Sequence, residues 1–132
     1  MSARIDHLVV AARDLDSGRA WLEDMLGVRL QPGGEHAMFG THNLLLSLGG
    51  EEYVELLAVN RAVPKPCAVY PLGLESPDVE RQLRRSPYLL HWILRVTGLD
   101  GPEATELSRG DNRWRTVLTA PGELPMGGVA RV

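Results

Sequence analysis

Arg4-Ile5-Asp6-His7-Leu8-Val9-Val10 is the stretch on which the reading of this chain turns. It predicts a strand that begins almost at the N-terminus. Strict alternation puts Ile5, His7 and Val9 on one face and Asp6, Leu8 and Val10 on the other. A histidine therefore sits mid-strand in an apolar segment. Taken alone, His7 reads as a half-buried strand histidine with a hydrogen-bonded ring. Whether it does more depends on what shares its face.

Outward from this strand, Asp14 and Asp16 are both suited to cap a helix, since a short carboxylate accepts from the free amides of a first turn. The helix runs to about Leu26. Leu15, Gly18, Leu22, Met25 and Leu26 form one apolar stripe at three-four spacing, with Trp21 beside it. Gly27 stands where a left-handed residue would stop the helix. Val28-Arg29-Leu30 starts a second strand, interrupted by Pro32-Gly33-Gly34, and Glu35 to Phe39 continues or pairs with it. Asn43 to Leu48 is a third strand, Gly49-Gly50-Glu51 a turn, and Tyr53 to Val59 a fourth strand.

The connection from Asn60 to Pro77 carries Pro64, Pro66, Pro71 and Pro77 and is irregular. Ser76-Pro77 opens a short helix over 77–85, with serine as cap and proline in the first turn. Tyr88 to Val96 is a strand bearing His91, another histidine among apolar residues. Gly98 to Gly110 reads as loop. Asn112 to Thr119 reads as a strand with Arg113, Arg115, Val117 and Thr119 on one side and Trp114, Thr116 and Leu118 on the other. Residues 120–128 read as a turn region, and Val129 to Val132 as the beginning of a last strand. Each half of the chain thus opens with a histidine-bearing strand, a weak internal repeat.

With 132 residues, 44% of them hydrophobic and 23% charged, the chain has the length and composition of one soluble globular domain. A net charge of −3 with interspersed signs argues against a nucleic-acid binder. Arg81, Arg84 and Arg85 form the one basic cluster, at a helix end where they complement the dipole. The single cysteine, Cys67, excludes an intramolecular disulfide and has no partner that would make it a catalytic thiol. No apolar run approaches the roughly 20 residues that span a bilayer, and no signal-peptide core is visible. The expectation is a cytoplasmic protein with no membrane partner.

Three residues stand out together as candidates for chemistry: His7, Glu55 and His91. Glu55, flanked by Val54, Leu56 and Leu57, is costly to bury unless paired, ligated or opened onto a cavity. The plain alternative is a half-exposed strand with Glu55 facing water. Two imidazoles and one carboxylate suit a divalent metal such as zinc, manganese, iron, cobalt or nickel, although their spacing is too long to be diagnostic. Arg95, Arg113 and Arg115 are forks suited to a substrate carboxylate or phosphate, or else surface charge. His36 and His42 lie in or near turns, and His42 reads as structural.

The chain resembles a known family at this point. Ile5-Asp6-His7-Leu8-Val9-Val10, Met25-Leu26-Gly27-Val28 and Tyr53-Val54-Glu55-Leu56-Leu57 are similar to the first module of the vicinal oxygen chelate superfamily. Gly40-Thr41-His42-Asn43, His91-Trp92, the run Ser108 to Arg115 and Leu124-Pro125-Met126-Gly127-Gly128 narrow the resemblance to its glyoxalase-like domain family. The resemblance implies an α+β fold of paired βαβββ modules whose curled mixed sheets surround a cavity. The first module would span about 4–59 and the linker 60–77. A second, shortened module would span about 88–132. It also implies metal ligands at His7, Glu55 and His91, with no fourth protein ligand in view, because the chain stops at Val132 where a last strand would begin. A homodimer could complete that sheet.

The function implied is a divalent-metal-dependent enzyme acting on a small molecule with vicinal oxygens, of isomerase, lyase or dioxygenase type. Glu55 would be a ligand or a general base. The alternative is a non-catalytic module that sequesters a small molecule between aromatic walls such as Trp92, Trp114 or Tyr53. Fold alone does not choose between these.

Overall fold

The computed structural model describes residues 2–66, 68–98, 104–109, 111–116 and 129–131. In chain order they form β1 (Ala3–Ala11), α1 (Leu15–Leu26), β2 (Gln31–His36), β3 (Thr41–Ser47), β4 (Tyr53–Val59), a 3-10 turn (Pro71–Gly73), α2 (Pro77–Arg85), β5 (Tyr88–Val96), β6 (Thr105–Arg109), β7 (Asn112–Thr116) and β8 (Val129–Arg131). The first five make one βαβββ module. The second module is four strands, with no helix among its described residues between β5 and β6.

A five-stranded sheet has the order β2-β3-β4-β1-β5, and a three-stranded sheet the order β6-β7-β8, with β8 lying beside β5. β1 runs parallel to β4 and antiparallel to β5, so it joins the two modules. This is the α+β architecture of paired modules with a mixed sheet that the resemblance implies.

One face of the large sheet packs under α1. Val10, Leu22, Leu30, Leu44, Val54 and Leu56 are buried there, with Leu8 and Trp21 against them. Asp14 caps α1 by accepting from the Ser17 amide at 2.8 Å, and Gly27 ends it at a φ of 66°. The opposite face buries Val9, Ala11, Leu57 and Ile93 under Leu74, with Leu72, Leu83 and Leu90 packed against the cluster. Ser76 caps α2 through the Val79 amide, as its sequence predicts.

Three sequence expectations are corrected. Met25 and Leu26 belong to no core: they are 58% and 47% exposed. Gly27 ends the helix there and Leu30 fills the place instead, its amide held by the Glu23 carboxylate at 2.9 Å. Pro32-Gly33-Gly34 does not interrupt β2 but lies within it. β2 is an edge strand, where a proline without an N–H is tolerated, and the register shifts between Pro32 and Glu35 as a bulge. Thr105 to Arg109, read as loop, is strand β6 paired with β7. The expectations for Cys67, for Val117 to Thr119 and for the turn over 120–128 lie outside the described residues. No helix among the described residues is long and apolar enough to cross a membrane.

Candidate functional site

The register brings His7 and Glu55 to the same face. β1 and β4 are adjacent and parallel, with His7 opposite Tyr53 and Val9 opposite Glu55. His7 stacks on the Tyr53 ring, centroids 4.5 Å apart and planes within 10°. Its Nε2 lies 3.8 Å from Glu55 Oε1. The Glu55 residue is 9% exposed, so its carboxylate is buried rather than turned to water.

Asp6 fixes the other edge of the histidine ring. The β1–β5 register shifts between Ile5 and His7, which leaves Asp6 as the extra residue of a bulge. Simple alternation would put neighbouring side chains on opposite faces, but at this bulge Asp6 Oδ1 meets His7 Nδ1 at 2.7 Å. Its second oxygen, Oδ2, accepts from Arg95 Nε at 2.8 Å and also from Nη2. Arg95 Nη1 reaches on to Glu51 at 2.8 Å, and Arg4 pairs with the same Glu51 oxygen. Burial works against the Asp6 carboxylate, but the bonds and charges of His7 and Arg95 outweigh it and hold its carboxyl below the ordinary value. Burial likewise disfavours the Arg95 cation, and Asp6 and Glu51 more than restore it.

Glu55 is fixed by β3 and β2. Asn43 Nδ2 donates to Glu55 Oε2 at 2.6 Å and stands 3.2 Å from His36 Nε2. The Asn43 amide has one orientation, because its Oδ1 accepts from the Gly34 amide at 2.8 Å. His36 Nδ1 lies 2.9 Å from Thr41 Oγ1, and His36 Nε2 is 3.9 Å from Glu55 Oε2. With Asn43 donating to Nε2, the His36 proton belongs on Nδ1, toward the threonine hydroxyl. The bulge of β2 is what admits Asn43. A Cβ at Gly33 would stand 2.1 Å from Asn43 Oδ1 and 2.4 Å from its carbonyl oxygen.

Asp6, His36 and Asn43 are the site residues that sequence reasoning missed. Asp6 was assigned to the far face by alternation, and His36 to a turn. The available signal was a second carboxylate within an apolar strand. Asn43 lay in the quoted Gly40-Thr41-His42-Asn43 motif without a role.

His91 does not join the cluster in the same way. It lies opposite Val9, hence on the His7 face, but its Nδ1 turns to its own strand, 3.1 Å from the Trp92 amide nitrogen. Among the described residues, no three or more histidine, cysteine, aspartate or glutamate side chains are gathered closely enough to hold a metal ion. Trp92 is the register partner of Leu8, which packs on the α1 side, so it faces away from His7 and Glu55. Arg113, Trp114 and Arg115 lie on β7 of the second sheet, Arg113 exposed and 3.9 Å from Glu106. Arg95 is committed to Asp6 and Glu51. His42 sits between Thr41 and Asn43 on β3, on the other face from both.

The sequence profile of the glyoxalase-like domain family matches residues 5–131, and the chain belongs to that family. Among curated proteins, none matches it. Among solved structures it is similar to methylmalonyl-CoA epimerase from Mycobacterium tuberculosis, with a TM-score of 0.58 and 21% identity over 97% of this chain and 87% of that one. It is also similar to a hypothetical protein from Bacillus halodurans, with a TM-score of 0.56 and 17% identity over 88% of this chain and 84% of that one. A Streptomyces coelicolor methylmalonyl-CoA epimerase in complex with 2-nitronate-propionyl-CoA gives 0.54 and 18% over 96% of this chain and 96% of that one. At these identities the likeness is one of fold, the vicinal oxygen chelate fold.

Proposed function

We propose that the protein is a divalent-metal-dependent enzyme acting on a small molecule with adjacent oxygens, of the isomerase type, centred on His7 and Glu55. One observation carries this reading. Asp6 holds the Nδ1 edge of His7, so in the neutral ring the proton sits there and Nε2 presents a lone pair. That lone pair faces a buried carboxylate oxygen at 3.8 Å. The gap is too long for a hydrogen bond, and both atoms are of the types that would hold a divalent ion.

Two of the donors such an ion would need are in place. His7 Nε2 and Glu55 Oε1 are two ligands of suitable type, and an imidazole whose second nitrogen is held by a carboxylate is the usual arrangement around a metal-bound histidine. His91 would be the third ligand, after its ring turns from Trp92 toward the shared face. When bound, the ion would supply Lewis-acid polarisation of substrate oxygens. The chain's own residues do the rest. Asp6 and Tyr53 fix the ring of His7. Asn43 fixes Glu55 Oε2 and leaves Oε1 toward His7 Nε2, where a carboxylate could also take a proton from carbon beside a carbonyl. The methylmalonyl-CoA epimerases of similar fold make a thioester acid the first substrate class to try.

A second reading, a non-catalytic small-molecule binding module, is favoured by the orientation of His91 and by a second module with no helix among its described residues. Metal analysis and calorimetric titration separate the two. The proposal expects one divalent ion per chain, removable by chelator, with affinity reduced at least about tenfold in His7→Ala and in Glu55→Ala. Wild-type protein that binds none of zinc, manganese, cobalt or nickel in excess would overturn it. Metal-dependent exchange of the α-hydrogen of a thioester acid for solvent deuterium tests the isomerase part.

A further inference from the structure

A cleft of about 250 Å³ opens on the His7–Glu55 side of the large sheet, where β1 and β4 end beneath α2. Its floor is apolar: Ala12, Val59, Leu74 and Leu83. Ala12 and Leu74 are 2% and 4% exposed, so this floor is continuous with the core. Val59 lies four residues beyond Glu55 on β4, about 13 Å along the strand. Buried Val9, Leu57 and Ile93 occupy the sheet between the two places. The cleft is therefore separate from the His7–Glu55 cluster.

The rim is cationic. Arg13, Arg61 and Arg84 line it, with Glu80 as the one acid. Arg84 alone has a structural explanation, since a cation in the last turn of α2 complements the helix dipole. That account does not extend to Arg13, which follows the end of β1, or to Arg61, which follows β4. Among the described residues neither Arg61 nor Arg84 makes an ion pair or a side-chain hydrogen bond. Arg13 has only a loose contact with Asp14, 3.9 Å, through the oxygen that does not cap α1. A chain of net charge −3 thus gathers three guanidinium groups from three separate segments around one apolar floor. Like charges in excess around a low-dielectric wall raise the local concentration of an anion.

We propose that this cleft binds a small oxyanion on a short aliphatic body, a carboxylate or phosphate whose head meets Arg13, Arg61 and Arg84 and whose hydrocarbon lies on Leu74 and Leu83. Guanidinium forks match either oxyanion with paired hydrogen bonds. The volume is below the range of about 300–1,000 Å³ usual for drug-sized ligands, which selects a body of a few carbons.

The test is an NMR titration of the full chain with butyl phosphate, valerate, inorganic phosphate and butanol. Perturbation should centre on the amides of residues 12, 13, 59, 61, 74 and 84 for the two alkyl oxyanions. Inorganic phosphate should bind at least tenfold more weakly and butanol not measurably. The stronger of butyl phosphate and valerate identifies the head group. Arg61→Gln with Arg84→Gln, both at exposed positions, should weaken the alkyl oxyanions at least tenfold while leaving metal affinity at His7 and Glu55 unchanged. The proposal is overturned if neither alkyl oxyanion perturbs these amides at 20 mM. It is equally overturned if the double variant binds as wild type, or if inorganic phosphate matches butyl phosphate, which would leave only surface charge.

Discussion

The register of β1 and β5 centres on the pair Leu8 and Trp92, so His7 and His91 are related by an approximate two-fold axis between the strands. Both strands carry an irregularity just before the histidine. In β1 the extra residue is Asp6, and in β5 it is Leu90. The backbone device is the same and the side chain differs. Asp6 turns onto its neighbour's Nδ1 and is itself held by Arg95. Leu90 packs into the apolar cluster, and His91 satisfies its Nδ1 on its own backbone. The residue at the bulge decides whether the following histidine is aimed. A ligand-type residue on the right face is thus necessary for a site and not sufficient.

The first module also fixes a carboxylate, Glu55, through Asn43, and here the largest effect is expected. Gly33→Ala places a methyl group against both the side chain and the backbone of Asn43. Such overpacking against a strand should cost roughly 2–3 kcal/mol in urea denaturation and release Glu55. Gly34→Ala is the matched control: nothing lies within 4 Å of its added Cβ. If the two variants lose equal stability, the close approach of Asn43 to β2 is not what orders Glu55.

Next in size is Asp6→Ala, which leaves the largely buried Arg95 with Glu51 alone and frees the ring of His7. A loss of about 2 kcal/mol is expected. The pH dependence carries the sign. Asp6 ionises at lower pH in the folded protein than its ordinary value of 3.8, so near and below that value the unfolded chain binds more protons. Its contribution is complete above the ordinary value and is lost as pH falls through the depressed folded value. Asp6→Asn should therefore flatten the acid limb of stability below about pH 4 and leave its slope near neutrality unchanged. An unaltered acid limb in the variant would show that Asp6 has no such linkage.

These contrasts also mark what could be read from the residues. β1, α1, β4, α2 and β5 were legible because each is a periodic or capped run: Asp14 and Ser76 cap as such residues do, and the apolar run around Glu55 is a buried strand. β2 was hidden because Pro32-Gly33-Gly34 is a breaker by local chemistry and a strand by position, at an edge with a bulge. β6 was hidden because Thr105 to Arg109 is polar and gains its structure from pairing with β7. His7 and Glu55 were legible as candidates, since each lies mid-strand in an apolar run; that they share a face follows from the β1–β4 register. Asp6 was not, because alternation holds only between bulges. His36 and Asn43 depended on a register that no short sequence pattern reports.

A third contrast sits at the proposed metal site. His7→Ala removes an aimed ligand and His91→Ala an unaimed one. Divalent-ion affinity should fall on the order of a hundredfold in the first and under about tenfold in the second. Equal losses would mean that turning the His91 ring inward costs nothing and that both modules contribute fully. The difference between the bulges would then be one of resting orientation only.

The smallest effect tests the outer faces. In the first module that face lies under α1, with Leu22 only 4% exposed. In the second, Leu89 and Trp92 are on the corresponding side of β5, as partners of Val10 and Leu8, and are 53% and 36% exposed. The described second module has no helix to cover them. An uncovered position tolerates charge, so Leu89→Lys should change stability by no more than about 0.5 kcal/mol. A loss of a kilocalorie or more would require that the face be buried in solution. Sedimentation would then show whether the variant also changes mass. A wild-type dimer that Leu89→Lys dissociates would mean that a second copy takes the place α1 holds in the first module.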